Sequence, residues 1–570
     1  MHQLHVASQT VQNALATKQI GAPLAVRIVA HQSADHGTLE RLAAVGLETA
    51  AGWLRSQPDR LMVSGSVERG QLSTLARFAG GQTALVSAGS CGVGRPLLEV
   101  VVIGSSGILS WEADDSPTSG DEPGRREEKL SEQAEWLLRH IRESLEHGRG
   151  VLLDDKISDG ARSNPASAPR RASPSSRRSS ACPRKQSPPY GVLLVSGDHT
   201  HQPGYAESLA SDKRCKLIGL TDEADVSPRR GKRNGQLAQR LGIPLLGDLP
   251  AALARKDVHI VSVCAEPARR GRIVVQAAEA GKHLYLDKPL AGSLSDCDAI
   301  VAAAEKAGVV HHMFSQVHAA NAERVRQVVQ SGELGPLAAI HFDLCFAKGH
   351  GGRAKLGKPR RETPVPKRFE LADSKRELSN VGVYPLVMLL WLLGQNIRSV
   401  FATTGNYFFE EHQKNDMEDF GQILLSLDGD VTASIAVGRA GWRSHPGGGL
   451  NRTYLIGTKQ TAVIDLHRPR VAVWADATPW TAPDRNPEDP MGMWSTPQDP
   501  RYSARPRQSW LTPAGPAVAD DATYFLDCIE QGRQSDVSAT VAAESTEILM
   551  AAYQSAATGQ TVDLPLPRDP

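Results

Sequence analysis

Short apolar segments alternate with helical patterns over residues 190–314, and this alternation limits the possible folds more than any other feature of the sequence. Helical spacing of apolar residues separates the apolar segments, for example at 236–241 and 296–307. Strands are expected at 192–195, 217–220, 258–264, 284–286 and 309–314. Strands and helices that alternate at this spacing form a doubly wound parallel sheet, so we expect a Rossmann-type α/β fold here.

A lysine follows the fourth of these predicted strands. Asp287, Lys288 and Pro289 come directly after 284–286, which in turn follows a helical pattern at 272–280 that ends at Gly281. Ligands bind at the carboxyl ends of the strands in a parallel α/β sheet. Lys288 is therefore placed for chemistry, although an ordinary surface lysine after a strand would have the same local sequence.

The turn after the first predicted strand is a candidate site for a dinucleotide. It reads Ser-Gly-Asp-His-Thr-His-Gln-Pro-Gly-Tyr at 196–205, with two glycines but without the full Gly-x-Gly-x-x-Gly pattern. The second strand ends near Asp222, an acid that can bind the adenosine ribose hydroxyls. Basic residues at 229–233 could bind a ribose phosphate or form a solvated loop, so NAD and NADP both stay open.

Composition excludes several classes of protein. Lys and Arg number 64 and Asp and Glu number 63, so the net charge gives no indication of a nucleic-acid or membrane partner. The seven cysteines form no Cys-x-x-Cys pair and no Cys/His metal spacing, which predicts reduced thiols without a metal or a disulfide framework. No apolar run is long enough to span a bilayer. We expect a cytoplasmic protein.

The amino-terminal part of the chain repeats features of the carboxyl-terminal part. Residues 11–26 and 325–340 both show a helix, a turn with Gly and Pro, and a strand. The other matching pairs are 45–54 with 381–392, 75–84 with 424–433, and 102–111 with 455–464. Four matches in the same order predict an internal duplication of an α+β unit with an open sheet, the alternative being a chance likeness of amphipathic elements.

Two further segments separate this unit from the α/β segment. A helix is expected at 125–147, closed by Gly148. The Ser-, Arg- and Pro-rich composition from about residue 157 predicts a disordered basic linker, because such a segment buries too little apolar surface to fold.

Several ordered segments resemble the Gfo/Idh/MocA (glucose–fructose oxidoreductase/inositol dehydrogenase) family. They are Ala-Gly-Lys-His-Leu-Tyr-Leu-Asp-Lys-Pro-Leu-Ala at 280–291, Ser-Gly-Glu-Leu-Gly at 331–335, and the closing segments 529–533, 552–556 and 559–565. The resemblance covers about 190–565. It implies an NAD(P)-dependent oxidoreductase acting on a sugar, polyol or similar carbonyl compound. It also implies a second domain of α+β type whose open sheet faces the nicotinamide.

The resemblance also implies roles for individual residues. Lys288 matches the family's catalytic lysine, and Tyr384 would carry the proton, with a pKa lowered by the Lys288 ammonium. Asn380 stands where the family usually has Asp and would orient a hydroxyl. His318 joins Lys288 and Tyr384 as a candidate substrate contact. The candidate cofactor-binding residues are Gly197, His199, Thr200, Gly204, Asp222, Ala265, Glu266, Pro267, Asp287 and Lys288.

Departures from the family pattern keep a second interpretation open. The phosphate loop is altered, Asn380 replaces Asp, and Asp287 replaces Glu. A catalytically weak or inactive dinucleotide- or sugar-binding protein of the same fold is therefore the alternative, and an assembly scaffold would be compatible with either.

The expected domains are a degenerate copy of the second domain at 11–154, a linker at 155–189, an NAD(P)-binding Rossmann domain at 190–315 and the substrate domain at 316–567. Ala44 and Glu48 occupy the positions that match Asn380 and Tyr384, so the first copy is expected to lack chemistry of its own. Members of the family associate through their open sheets. We therefore expect sheet-to-sheet association, either within the chain or in a homo-oligomer.

Overall fold

The structure is a computed structural model, and its strands form three sheets of seven, five and nine strands. The residues that it describes are 2–31, 36–90, 97–113, 129–153, 187–196, 201–317, 320–347, 362, 376–440, 449–465, 470–474, 508–511 and 520–568. Among these residues, no helix is both long and apolar enough to cross a membrane.

The amino-terminal unit is a seven-stranded mixed sheet with the order β6-β5-β1-β4-β3-β2-β7. Its strands are β1 (Pro23–His31), β2 (Pro58–Ser66), β3 (Gln71–Phe78), β4 (Thr83–Gly89), β5 (Leu97–Gly104), β6 (Ile108–Glu112) and β7 (Val151–Leu152). The helices that pack on it are α1 (His2–Ala16), α2 (His36–Leu54) and α3 (Glu132–His147). Only β1 and β4 pair in parallel, and the helices share one core with one face of the sheet.

The middle of the chain forms the predicted parallel sheet, with the order β12-β11-β10-β8-β9. Its strands are β8 (Tyr190–Val195), β9 (Cys215–Thr221), β10 (Ile260–Val263), β11 (His283–Leu286) and β12 (His311–Met313). The intervening helices are α4 (Gln202–Ser211), α5 (Pro228–Leu241), α6 (Leu249–Leu253), α7 (Pro267–Glu279) and α8 (Leu294–Ala307). The fully buried, continuously apolar strand β8 is typical of a sheet covered on both faces. The Rossmann-type fold is confirmed.

The carboxyl-terminal part forms a nine-stranded sheet with the order β20-β19-β18-β17-β13-β16-β15-β14-β21. Its strands are β13 (Leu337–Ala347), β14 (Ile397–Gly405), β15 (Phe420–Leu427), β16 (Thr432–Ala440), β17 (Gly449–Gly457), β18 (Thr461–Asp465), β19 (Arg470–Trp474), β20 (Gln508–Leu511) and β21 (Val562–Asp563). Its helices are α9 (Ala320–Gln330), α10 (Glu377–Asn380), α11 (Val383–Leu393), α12 (Glu410–Lys414), α13 (Asp521–Gln531) and α14 (Ala539–Thr558).

Several expected boundaries differ from the observed ones. The helix expected from residue 125 begins at Glu132, because the Ser131 side chain accepts a hydrogen bond from the backbone N–H of Ala134 and caps the helix there. The amino-terminal unit starts before residue 11, since Leu4 and Ala7 belong to its core. Helix α13 contributes Phe525 to the core of the parallel sheet although it lies far along the chain. The linker expected at 155–189 falls mostly outside the described residues.

Candidate active site

The candidate site lies at the carboxyl edge of the parallel sheet, where it meets the carboxyl-terminal domain. Lys288 is the second residue after the end of β11, and its side chain reaches α10. The Lys288 Nζ donates a hydrogen bond of 2.7 Å to the backbone oxygen of Asn380 and another to the Asn380 Oδ1. Asn380 is the last residue of α10, so one lysine joins the two domains at the predicted position.

Burial changes the acid–base behaviour of this lysine. Lys288 is only 5 % exposed, and loss of hydration lowers the pKa of its ammonium to about 8. The nearby charges of Asp287 and Glu377 oppose this effect and keep the pKa from falling further. An amine that titrates near neutral pH can both accept and donate a proton under ordinary conditions.

Tyr384 lies beside Lys288 in the first turn of α11, but the geometry does not favour a proton carrier. The Lys288 Nζ stands 5.2 Å from the centroid of the Tyr384 ring, and the ring packs edge-on against Phe314. Burial, followed by the negative charges of Asp287 and Asp521, raises the pKa of Tyr384 far above its usual value. The expectation of a lowered pKa is wrong, because desolvation and two carboxylates outweigh the one ammonium.

Asp287 is held in place by three side chains of the protein. Its Oδ1 accepts a hydrogen bond of 2.7 Å from the Tyr205 hydroxyl and lies 3.0 Å from the His201 Nδ1. Its Oδ2 lies 3.2 Å from a guanidinium nitrogen of the buried Arg270, which also donates to the backbone oxygens of Ala265 and Asp287. This network fixes the residue before Lys288 to the start of α4. Direct contact of Asp287 with a cofactor stays a prediction.

The structure describes the strand β8 and the helix α4 on either side of the turn that would bind a diphosphate. Helix α4 begins at Gln202, whose side chain donates hydrogen bonds to the ends of β8 and β10. Gly204 lies in the first turn, where an added Cβ would meet no atom of the other described residues within 4 Å, apart from its chain neighbours and the nearby backbone of its own helix. This open helix terminus fits an anionic diphosphate. The expected ligands Gly197, His199 and Thr200 lie outside the described residues, as does His318.

The expected ribose acceptor, Asp222, is already engaged. Its Oδ1 accepts hydrogen bonds from Arg230 at 2.6 Å and from the backbone N–H of Glu223 at 2.9 Å. Its Oδ2 accepts one from Arg230 and one from Asn234, both at 2.7 Å. These four bonds use the acceptor sites of a carboxylate, so ribose hydroxyls would have to displace a protein donor.

The three predicted cofactor residues after β10 lie together at this edge. Ala265 is buried, Glu266 precedes α7, and Pro267 is the first residue of that helix. The Glu266 carboxylate pairs with Arg230, which extends the ion pairs around Asp222.

A buried carboxylate close to Lys288 was not predicted from the sequence. Glu377 begins α10, is fully buried, and forms an ion pair with Arg439, with the Nε and Oε1 atoms 2.7 Å apart. The negative charge of Glu377 raises the pKa of Lys288 and so opposes the effect of burial. The available signal in the sequence was the run of charged residues Lys-Arg-Glu at 375–377, just before Asn380.

Family models match two consecutive parts of the chain. Residues 201–315 match the model described as "Oxidoreductase family, NAD-binding Rossmann fold". Residues 322–463 match the model described as "GFO/IDH/MocA C-terminal domain".

Curated relatives align with part of the chain. A dTDP-3,4-didehydro-2,6-dideoxy-alpha-D-glucose 3-reductase of Streptomyces violaceoruber is 25% identical over 261 residues, which cover 44% of this chain and 70% of that protein. A myo-inositol 2-dehydrogenase of Thermotoga maritima is 27% identical over 202 residues, which cover 35% of this chain and 56% of that protein.

A solved structure shares its fold with about two thirds of this chain. Levoglucosan dehydrogenase, solved in complex with NADH and levoglucosan, is 18% identical with a TM-score of 0.50, and the match covers 66% of this chain and 100% of that chain. The two family models and the curated relatives agree with one another, and residues 201–315 and 322–463 of this chain are similar to the two domains of Gfo/Idh/MocA oxidoreductases.

Proposed function

We propose that the chain interconverts an alcohol and a carbonyl group on a sugar-like compound with a nicotinamide dinucleotide, and that Lys288 carries the hydroxyl proton. The observation that carries this proposal is the buried Lys288 amine, whose pKa is lowered to about 8 at the carboxyl edge of the Rossmann sheet. A general acid–base group works best when its pKa lies near the working pH.

The proton path follows from the protonation state of Lys288. The dinucleotide, when bound, accepts or supplies the hydride. During oxidation, the neutral Lys288 amine takes the hydroxyl proton while the carbinol carbon loses its hydrogen and the C=O bond forms. During reduction, the Lys288 ammonium gives its proton to the carbonyl oxygen. The Asn380 oxygens hold the Nζ in place for both directions.

Two groups of residues support dinucleotide binding in this proposal. The amino terminus of α4 with Gly204 would face the diphosphate, together with the predicted residues Gly197, His199 and Thr200 of the preceding loop. Ala265–Pro267 would line the path along the strand ends towards Lys288. NAD is the form named for the matched Rossmann-fold model, and we propose it as the cofactor.

The substrate class follows from the relatives. Their names specify a deoxysugar nucleotide, myo-inositol and levoglucosan, all of which carry ring hydroxyl or carbonyl groups. We therefore propose a sugar or cyclic polyol as substrate, with Lys288 and Tyr384 at the reacting end. The reduced cysteines predicted from the sequence favour a cytoplasmic location for this reaction.

Cofactor titration tests the proposal. Protein fluorescence is followed while NADH or NADPH is added to the wild-type chain and to Lys288→Ala. We expect saturable binding of NADH to both proteins, and NADH formation from NAD and a panel of sugars and polyols by the wild type alone. Failure of both cofactors to bind the wild type would refute the proposal.

A dinucleotide-binding protein without turnover is the second candidate. The observation that favours it is the engagement of Asp222 by Arg230 and Asn234, because a functional ribose acceptor needs free acceptor sites. Saturable NADH binding without turnover on any compound of the panel would favour this candidate over the enzyme.

A further inference from the structure

The seven-stranded and nine-stranded sheets share one strand order. The order β6-β5-β1-β4-β3-β2-β7 corresponds strand by strand to β18-β17-β13-β16-β15-β14-β21. Each sheet has a single parallel pair among these strands, and the two pairs, β1/β4 and β13/β16, occupy corresponding places. The larger sheet differs in its two additional edge strands, β19 and β20.

The pairing registers also correspond. Ala25 lies opposite Thr83 in β1/β4, as Ala339 lies opposite Thr432 in β13/β16. The pairing of β2 with β3 and that of β14 with β15 also share an irregularity. In each, the register shifts immediately after the first paired residue of β2 or β14. These registers agree with the three sequence matches that contain strands, at 11–26, 75–84 and 102–111, so strand order, register and sequence support the same alignment.

The two sheets pack face to face, on the side of each that its own helices leave uncovered. Met62, Leu75 and Leu85 of the first sheet form one apolar cluster with Phe401 and Leu424 of the second.

Polar contacts cross the same interface. The His341 Nε2 lies 2.9 Å from the Ser87 Oγ, and the Ser64 and Ser426 hydroxyl oxygens are 2.8 Å apart. Arg27 forms a buried ion pair with Asp343. The unit before the linker thus covers the open sheet of the carboxyl-terminal domain with both apolar and polar contacts.

One ion pair across the interface joins equivalent positions of the two sheets. Glu99 lies opposite Val29 in β5/β1, and Arg452 lies opposite Asp343 in β17/β13. The registers make Val29 equivalent to Asp343, and therefore Glu99 equivalent to Arg452. In the structure, the Arg452 guanidinium pairs with the Glu99 carboxylate, and Glu99 is only 4 % exposed.

A residue that contacts its own equivalent lies close to the twofold axis that relates two similar units. If two identical carboxyl-terminal sheets paired in the same way, Arg452 would meet Arg452. If two identical amino-terminal sheets paired, Glu99 would meet Glu99. Buried like charges without a partner are strongly unfavourable. Opposite charges meet at this position only when an amino-terminal sheet pairs with a carboxyl-terminal sheet.

We propose that residues 2–153 are a second copy of the carboxyl-terminal sheet domain that serves as its built-in partner. Glu99 and Arg452 select this partner and exclude a second copy of the chain from the same face. The first copy has Ala44 and Glu48 at the positions of Asn380 and Tyr384 and therefore lacks these candidate catalytic residues. The inference concerns assembly and does not depend on catalysis.

The test uses the full chain with a protease site introduced within 157–186 and cut after folding. We expect the two pieces of the cut wild type to remain one particle in size-exclusion chromatography. Glu99→Arg and Arg452→Glu are expected to weaken the association of the pieces at least about tenfold, and the double swap to restore it. Glu146→Arg, at an exposed position of α3, is the matched control and should behave as the wild type.

The outcomes are distinct. Separation of the wild-type pieces without any substitution, or a double swap no better than either single variant, would overturn the proposal. Glu99→Gln is the milder variant if Glu99→Arg fails to fold, and it should also weaken the association of the two pieces. The uncut wild type is expected to sediment as a single chain. A dimer that Arg452→Glu disrupts would show that the face accepts a second copy and would contradict the selectivity.

Discussion

Removal of the Asn380 side chain should shift the titration of Lys288 to lower pH. The Asn380 Oδ1 accepts a hydrogen bond from the Lys288 Nζ and thereby favours the ammonium form. A hydrogen bond to a charged group contributes about 1.5–3 kcal/mol. Since one pKa unit corresponds to about 1.4 kcal/mol, Asn380→Ala should lower the pKa of Lys288 by about one to two units from its value of about 8. The 2.7 Å bond to the backbone oxygen is retained in this variant.

Competitive labelling with acetic anhydride measures this shift without a known substrate. The Lys288 peptide is quantified by mass spectrometry over a range of pH, with the exposed Lys216 as the internal reference for reagent reactivity. Asn380→Asp is the matched control, because it keeps the acceptor and adds a negative charge. It should raise the pKa of Lys288 instead. An unchanged midpoint in Asn380→Ala, or a lowered one in Asn380→Asp, would refute the reasoning.

Two further predictions concern stability. Arg230→Ala should destabilise the fold by about 3–5 kcal/mol in urea unfolding, because it leaves the buried Asp222 carboxylate without its main partner. The control variant Arg229→Ala, at the exposed neighbouring position, should destabilise it by less than about 0.5 kcal/mol. Equal effects of the two substitutions would contradict the role given to Arg230. Burial lowers the pKa of His311 to about 4 from its ordinary 6.5, so its contribution to stability is complete above pH 6.5 and is lost as the pH falls through 4. His311 alone should contribute about 3 kcal/mol to the decline of stability over this range. His311→Phe should remove that contribution, and an identical decline in the variant would contradict the role given to His311.

The fold was largely predictable because its signals are local. Parallel strands covered on both faces are continuous apolar runs, so the five strands of the Rossmann sheet were found within a few residues of their observed bounds. Lys288 was identified by its position at a strand end. Helix bounds were less accurate, since a single cap such as Ser131 decides where a helix begins. The packing of α13 on the parallel sheet could not be predicted, because it joins segments far apart in sequence.

The interactions inside the site could not be predicted, because they depend on tertiary contacts. Asp287 and Asp222 were predicted as cofactor residues, but the ion pairs of their carboxylates with Arg270 and Arg230 leave no pattern in the sequence. Tyr384 was found by its position in the family pattern, whereas the direction of its pKa shift depends on burial that no sequence pattern reports.

The central claim is that Lys288, and not Tyr384, carries the proton. The direct measurement is the pH dependence of NAD reduction with the best substrate of the sugar and polyol panel, for the wild type, Lys288→Ala and Tyr384→Phe. The wild-type rate should rise with pH through a midpoint of about 8, the pKa to which burial lowers Lys288. Lys288→Ala should lose about 10²–10⁴-fold in rate together with this midpoint, and Tyr384→Phe should keep it. A Tyr384→Phe variant that loses the midpoint while Lys288→Ala retains it would contradict the account.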